Sequence, residues 1–173
     1  GLWRYATFTP PGTTKTLNAN SGMLYDLQAV AGYDSLFSAE YAAYMGLIEE
    51  QDEQQYNRIA SLRQWSSLDS PLLDLLNVKY VVTEVEIPNP ARFRLVYQDE
   101  AVRVYQNLGA LERAFTLPVC AAIETDNLAR AVQRFDLRSY VALERGAGLE
   151  CTGGPRAGVA RRQTVTRYTL NEV

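Results

Sequence analysis

Bulky apolar and polar residues alternate through LWRYATF, Leu2–Phe8, and the alternation stops at Pro10-Pro11-Gly12, so the pattern predicts a strand closed by a breaker. TTKTLNANSG is a polar loop. MLYDLQAVAG predicts one or two helical turns ended by Gly32 in the left-handed conformation. Ser38 then caps AEYAAYMGLIEEQDEQQYNRIASL, where Tyr41, Tyr44, Met45, Ile48, Tyr56 and Ile59 recur at helical spacing; this predicts the longest helix, Ala39–Leu62.

In SSLDSPLLDLLNVKYVVTEV, Asp69 or Ser70 caps a short apolar helix with Pro71 at its first position, and the chain then enters a buried strand, Val78–Glu84. RFRLVYQDEAVRVYQN reads as a β-hairpin turning at Asp99-Glu100, with Phe93, Leu95, Tyr97, Val102 and Val104 on its apolar face. A strand Ala114–Val119 follows. A helix Thr125–Phe135, capped by Thr125 or Asp126, precedes a strand Tyr140–Glu144. These elements predict an α+β fold: a mixed sheet with one hairpin, covered by the long helix and the shorter one. The first 145 residues form that domain. Residues 146–173 are a Gly/Arg-rich connection followed by an alternating stretch, TVTRYTLNEV, expected to open a β-rich section that continues beyond Val173.

Composition narrows the chemistry more than it names a function. With 173 residues, 47% hydrophobic and 21% charged, the chain can bury one sizeable core. The net charge is -3 and the cations are scattered apart from Arg161-Arg162, so no nucleic-acid partner is expected. No run approaches the roughly 20 apolar residues that span a bilayer. The chain starts at Gly1 without an initiator methionine, which is expected of a piece of a longer protein.

Histidine is absent, and Cys120 and Cys151 are the only cysteines. Zinc sites built on Cys and His, Ser-His-Asp triads and Cys-His dyads all lack a member. The two cysteines are compatible with a disulfide in an oxidising compartment or with two buried thiols. No cofactor or metal site is expected: Asp26, Asp34 and Glu40 fall close in sequence but match no calcium loop, and GAGLECTGG lacks the context of a phosphate loop.

Gly32-Tyr33-Asp34-Ser35 has two readings. Structurally, Gly32 ends one helix and Asp34 or Ser35 satisfies backbone donors near the next. Functionally, Asn18, Asn20, Tyr33 and Asp34 combine amide, aromatic face and carboxylate, the groups that meet a sugar's hydroxyls and apolar ring face. The structural reading weighs more, and these four residues are the candidate ligand-binding set. No catalytic residue is expected.

Three runs, GYDSLFSAEYAAYM, SPLLDLLNVKYVV and FRLVYQDEAVRVYQNLGALERAF, resemble in content and order the extracytoplasmic region of YfhO-type bacterial membrane proteins. The resemblance covers about Gly32 to Phe115; Glu112 stands where the family pattern has proline, while Arg113 is in place. It implies a soluble extracytoplasmic domain of a polytopic membrane protein that is similar to lipid-linked-sugar-dependent glycosyltransferases of cell-envelope polymers. The catalytic acid of such enzymes lies between early transmembrane helices and maps to no residue here. The resemblance therefore implies a non-catalytic domain at the outer face of the cytoplasmic membrane, whose partners are an envelope glycan and the protein's own transmembrane helices. It would hold the acceptor or act as a lid. A protein-interaction module of the envelope without sugar recognition is the alternative.

Overall fold

The computed structural model describes residues 3–14, 17–52, 57–149 and 151–163. The expected strand in TVTRYTLNEV lies outside them, as does Leu2. The fold is α+β, and the chain divides into two compact units at Leu111/Glu112, whereas the sequence expectation put a division at residue 145.

The first unit, Trp3–Leu111, is built on a five-stranded mixed sheet. Its strands are β1 (Arg4–Phe8), β2 (Gln28–Ala29), β5 (Val78–Thr83), β6 (Phe93–Gln98) and β7 (Arg103–Asn107), in the order β2-β1-β5-β7-β6. β1 runs parallel to both neighbours, and β5, β7 and β6 are mutually antiparallel. The hairpin forms as expected, with a register shift between Leu95 and Tyr97, and β6 is an edge strand exposed from Arg94 to Gln98. Phe93 and Tyr105 are buried, whereas Leu95 and Tyr97 of the expected apolar face stand about half exposed. β3 (Gly32–Tyr33) and β4 (Arg58–Ile59) form a separate antiparallel pair.

α1 covers only Ala39–Ile48. Its start is as expected, with the Ser38 hydroxyl accepting the Tyr41 N–H at 3.1 Å. It ends early because Glu49 turns extended and buries its carboxylate against the Arg63 and Gln64 N–H groups, at 3.0 and 3.1 Å, and the Ser67 hydroxyl at 2.7 Å. Those donors lie at the start of α2 (Trp65–Leu68), a free helix end that otherwise leaves orphan N–H groups. Ile59, read as a helical position, is a buried strand residue, and Tyr56 lies outside the described residues. Ala42 and Met45 of α1 pack in one core with Ala6, Phe8, Leu62 and Val81.

α3 (Pro71–Leu75) starts at Ser70, whose hydroxyl accepts the Leu72 N–H at 3.3 Å. Asn77, at φ 60, turns the chain from α3 into β5. The Asp74 side chain is 4% exposed and its Oδ1 accepts from Arg92 Nη2 at 2.9 Å and Asn107 Nδ2 at 2.8 Å. Arg92 also donates to the Leu68 and Ser70 carbonyls, and Asn107 to Val78 O. Gly109 passes so close that a Cβ there would lie 2.8 Å from Asp74 Oδ2. One buried carboxylate thus joins LLDLLNVKY to the end of the hairpin and the Asn-Leu-Gly turn after it.

The second unit, from Glu112 on, holds a β-α-β segment. β9 (Ala122–Thr125) and β10 (Val141–Glu144) are parallel, and α4 (Leu128–Arg134) connects them, as parallel neighbours require. α4 is capped by Asn127, whose Oδ1 accepts the Arg130 N–H at 2.8 Å, rather than by Thr125 or Asp126. Of the strand expected at Ala114–Val119, only β8 (Phe115–Thr116) forms, paired with β11 (Arg161–Arg162) in a sheet of its own. β8 and β10 therefore do not join the five-stranded sheet. Cys120 and Cys151 form a disulfide with their Cα atoms 5.1 Å apart. Arg156 N–H donates to Cys120 O at 2.7 Å, which lays the Gly/Arg-rich stretch beside the 3-10 turn Val119–Ala121. Among the described residues no helix is long and apolar enough to cross a membrane.

Candidate functional site

The polar segment around Gly32 is held by Asn20. That residue sits at φ 64, at the head of a 3-10 turn over Ser21–Tyr25, where asparagine tolerates the left-handed conformation. Its amide reaches 13 residues along the chain: Oδ1 accepts the Tyr33 N–H at 3.0 Å and Nδ2 donates to Tyr33 O. The side chain therefore serves β3 as a neighbouring strand would. A Cβ on Gly32 would lie 2.7 Å from Asn20 Oδ1, so glycine is required there for close approach. Gly32 is not left-handed and ends no helix; of MLYDLQAVAG only Met23–Tyr25 lie in the 3-10 turn, Asp26 closes it at φ 53, and Gln28–Ala29 form β2.

The other three candidates lie nearby in different roles. Asp34 Oδ1 accepts the Leu36 N–H at 3.3 Å, a local turn, and its own N–H donates to Asn57 O at 3.2 Å. Asn18 O accepts from the Ser21 N–H and hydroxyl. The Tyr33 side chain is 55% exposed. Asn18, Asn20 and Gly32 line a cleft with Tyr5, Arg58 and Ser61, but its room is about 20 Å³. That volume admits about one water molecule rather than a sugar ring. Both ends of the Asn20 amide are committed to the backbone, so Asn18 and the Tyr33 ring are the polar and aromatic groups left facing outward.

The carboxylates around this segment also act locally. Glu40 stands in the first turn of α1, where the helix dipole favours an anion, and Asp34 makes its turn. Among the described residues no three His, Cys, Asp or Glu side chains are grouped to hold a metal. Burial raises the pKa of Tyr41 and, far more, of Tyr44, so both hydroxyls stay protonated and donate to Val30 O and Leu72 O.

What sequence reasoning missed is the exposure of large apolar side chains on either side of Gly32-Tyr33. Met23, Leu24 and Tyr25 on the 3-10 turn are 73%, 83% and 74% exposed, and Leu36 is 86% exposed. A 3-10 turn advances about 120° per residue, so three consecutive side chains cannot share one buried face. Four such large residues stand exposed within fourteen positions. No family model, curated protein or solved structure matches this chain.

Proposed function

We propose that this chain is the extracytoplasmic domain of a polytopic bacterial membrane protein resembling lipid-linked-sugar-dependent glycosyltransferases. In this reading it is non-catalytic and holds an acceptor glycan or covers the membrane-embedded site. The observation that carries the reading is the Cys120–Cys151 disulfide, a bond that persists in oxidising compartments and is rare in the reducing cytosol of mesophiles. Two further features support it. The Leu-Leu-Asp-Leu-Leu-Asn-Val-Lys-Tyr and Tyr-Gln-Asn-Leu-Gly runs that carry the resemblance are one interlocked structure through Asp74, Asn107 and Gly109. The Met23–Leu36 surface offers apolar side chains to a covering partner, which a domain resting on membrane helices requires.

The domain's contribution is geometric. A reaction between a lipid-linked donor and a polymeric acceptor gains rate when the acceptor is oriented, without any bond-making group on the orienting domain. The same apolar surface also favours the second reading, a protein-interaction module of the envelope without sugar recognition.

Topology is tested in intact cells expressing the whole protein. A membrane-impermeant phosphine followed by an impermeant maleimide is expected to label Cys120 and Cys151 without lysis. Labelling only after lysis would overturn the extracytoplasmic assignment. Replacing Met23, Leu24 and Leu36 by Ser in that protein is expected to abolish sugar transfer if the domain covers the site; transfer at the normal rate with a lost protein partner would select the second reading.

A further inference from the structure

Charge is unevenly divided along the chain. Glu112–Val173 carries nine arginines, no lysine and seven acidic residues, a formal +2, while Gly1–Leu111 carries eight cations against thirteen acids, a formal -5. Within the second unit, Arg130, Arg134 and Arg145 line one cleft of about 380 Å³ against Ile123, Ala131 and Phe135. Arg130 and Arg134 are four residues apart on α4, so their side chains leave the same face.

The acids that line the cleft bond to partners other than the two α4 arginines. Asp126 holds Arg145 with both oxygens, at 2.7 and 2.6 Å, and this pairing lowers the Asp126 pKa below the usual carboxylate range. Glu124 Oε2 accepts the Gly146 N–H at 3.2 Å. Among the described residues, neither Arg130 nor Arg134 has a carboxylate at ion-pair distance. The Arg134 guanidinium lies 5.8 Å from the centroid of the Phe135 ring, which itself packs against Tyr140. The Asn127 cap fixes the first turn of α4 through the Arg130 N–H, so the backbone from which both guanidiniums project is anchored.

We infer that this cleft binds an oxyanion, phosphate or carboxylate, carried on a sugar, with Arg130 and Arg134 as its donors. Two planar guanidiniums on one face offer the forked donors that such oxygens accept in pairs, which an ammonium does not. The apolar floor of Ile123, Ala131 and Phe135 gives the ring bearing the anion a surface on which to lie. Asp126 already pairs with Arg145, so selectivity for an anion rests on the two α4 arginines. The inference stands on the second unit alone and does not depend on where the whole protein resides.

The test is titration of the isotope-labelled chain, followed by NMR, with glucose 1-phosphate, glucuronate, inorganic phosphate and glucose as separate probes. Saturable shifts at Arg130, Arg134 and Asn127 with glucose 1-phosphate or glucuronate, and none with glucose, are expected. Inorganic phosphate binding as tightly as the sugar phosphate would overturn the sugar-borne part of the inference. Arg130→Gln with Arg134→Gln is expected to weaken binding at least about tenfold. The double lysine variant, which keeps charge and fold, is expected to weaken it about three- to fivefold. Arg138→Gln removes one charge outside the cleft; an equal loss in that variant, or shifts spread evenly over the surface, would overturn the assignment.

Discussion

Asp74→Ala is expected to be the most damaging single polar substitution in the first unit. The side chain is 4% exposed, its Oδ1 is shared by Arg92 and Asn107, and the Arg92 side chain is only 20% exposed. Breaking a buried pair by removing one partner costs about 3–5 kcal/mol, because the other charge stays buried. Arg92 keeps its bonds to the Leu68 and Ser70 carbonyls, so the lower end, about 3 kcal/mol, is expected. With a urea dependence of about 1–3 kcal/mol per molar, the midpoint falls by roughly 1–3 M. The assay is urea unfolding followed by fluorescence of Trp3 and Trp65, the only tryptophans, both packed in this unit against Tyr80 and Phe8. Gly109→Ala should cost about 1–3 kcal/mol by itself, since its Cβ would press on both Asp74 oxygens. In the double variant that clash is gone, so the two costs should fall short of additivity by about 1 kcal/mol. An Asp74→Ala cost below about 1 kcal/mol, or additivity within about 0.3 kcal/mol, would refute this account of the buried carboxylate.

Three further outcomes are expected. Asn20→Gly keeps the left-handed backbone but loses the Tyr33 bonds, costing about 1 kcal/mol by thermal unfolding, and Asn20→Ala adds about 1 kcal/mol of backbone strain; equal costs would remove the strain argument. Reducing Cys120–Cys151, 31 residues apart, should lower the stability of the second unit by about 3–4 kcal/mol; hydrogen exchange at the Arg156 amide checks it, and unchanged protection would count against the staple. Tyr97 O–H, then the Ala101 and Val102 N–H groups, hold the Asp99 pKa below its ordinary value, so its contribution to the hairpin is complete above the unfolded pKa and lost as pH falls through the lowered folded one. An NMR titration midpoint at the ordinary value of about 3.9 would contradict this.

Features set by neighbouring residues were legible in the sequence. Ser38 and Ser70-Pro71 announce the starts of α1 and α3, and the hairpin needs only its own two strands. Features set by distant partners were not. α1 stops at Ile48 because donors at Arg63, Gln64 and Ser67 capture Glu49, and no local pattern encodes that capture. Gly32 looked like a helix cap because the reach of Asn20 depends on a fold not yet known. β9 was missed because four residues with a central Glu124 make a weak pattern, and without β9 the arrival of Arg145 beside α4 could not be foreseen. The spacing of Arg130 and Arg134 was visible, but the absence of a carboxylate beside them among the described residues was not. For the candidate ligand set, the bonds between Asn20 and Tyr33 run from the amide to Tyr33's backbone, a pairing no local pattern announces.

The place of β1 in its sheet has a consequence for how the chain comes into being. β1 is made before every other strand of its sheet and sits second in it, between β2 and β5, with Phe8 opposite Thr83. Its long-range partner follows some 75 residues later. At synthesis rates of about 5–20 residues per second, that interval lasts roughly 4–15 s. Throughout it the backbone edge of β1 facing β5 and the Phe8 ring, fully buried in the finished protein, lack their cover. Closure of so distant a parallel pair is also intrinsically slow. The nascent chain is therefore most prone to mispairing before Val78–Thr83 emerges, and a factor shielding Arg4–Phe8 in that window would raise the yield of folded protein without touching its final stability.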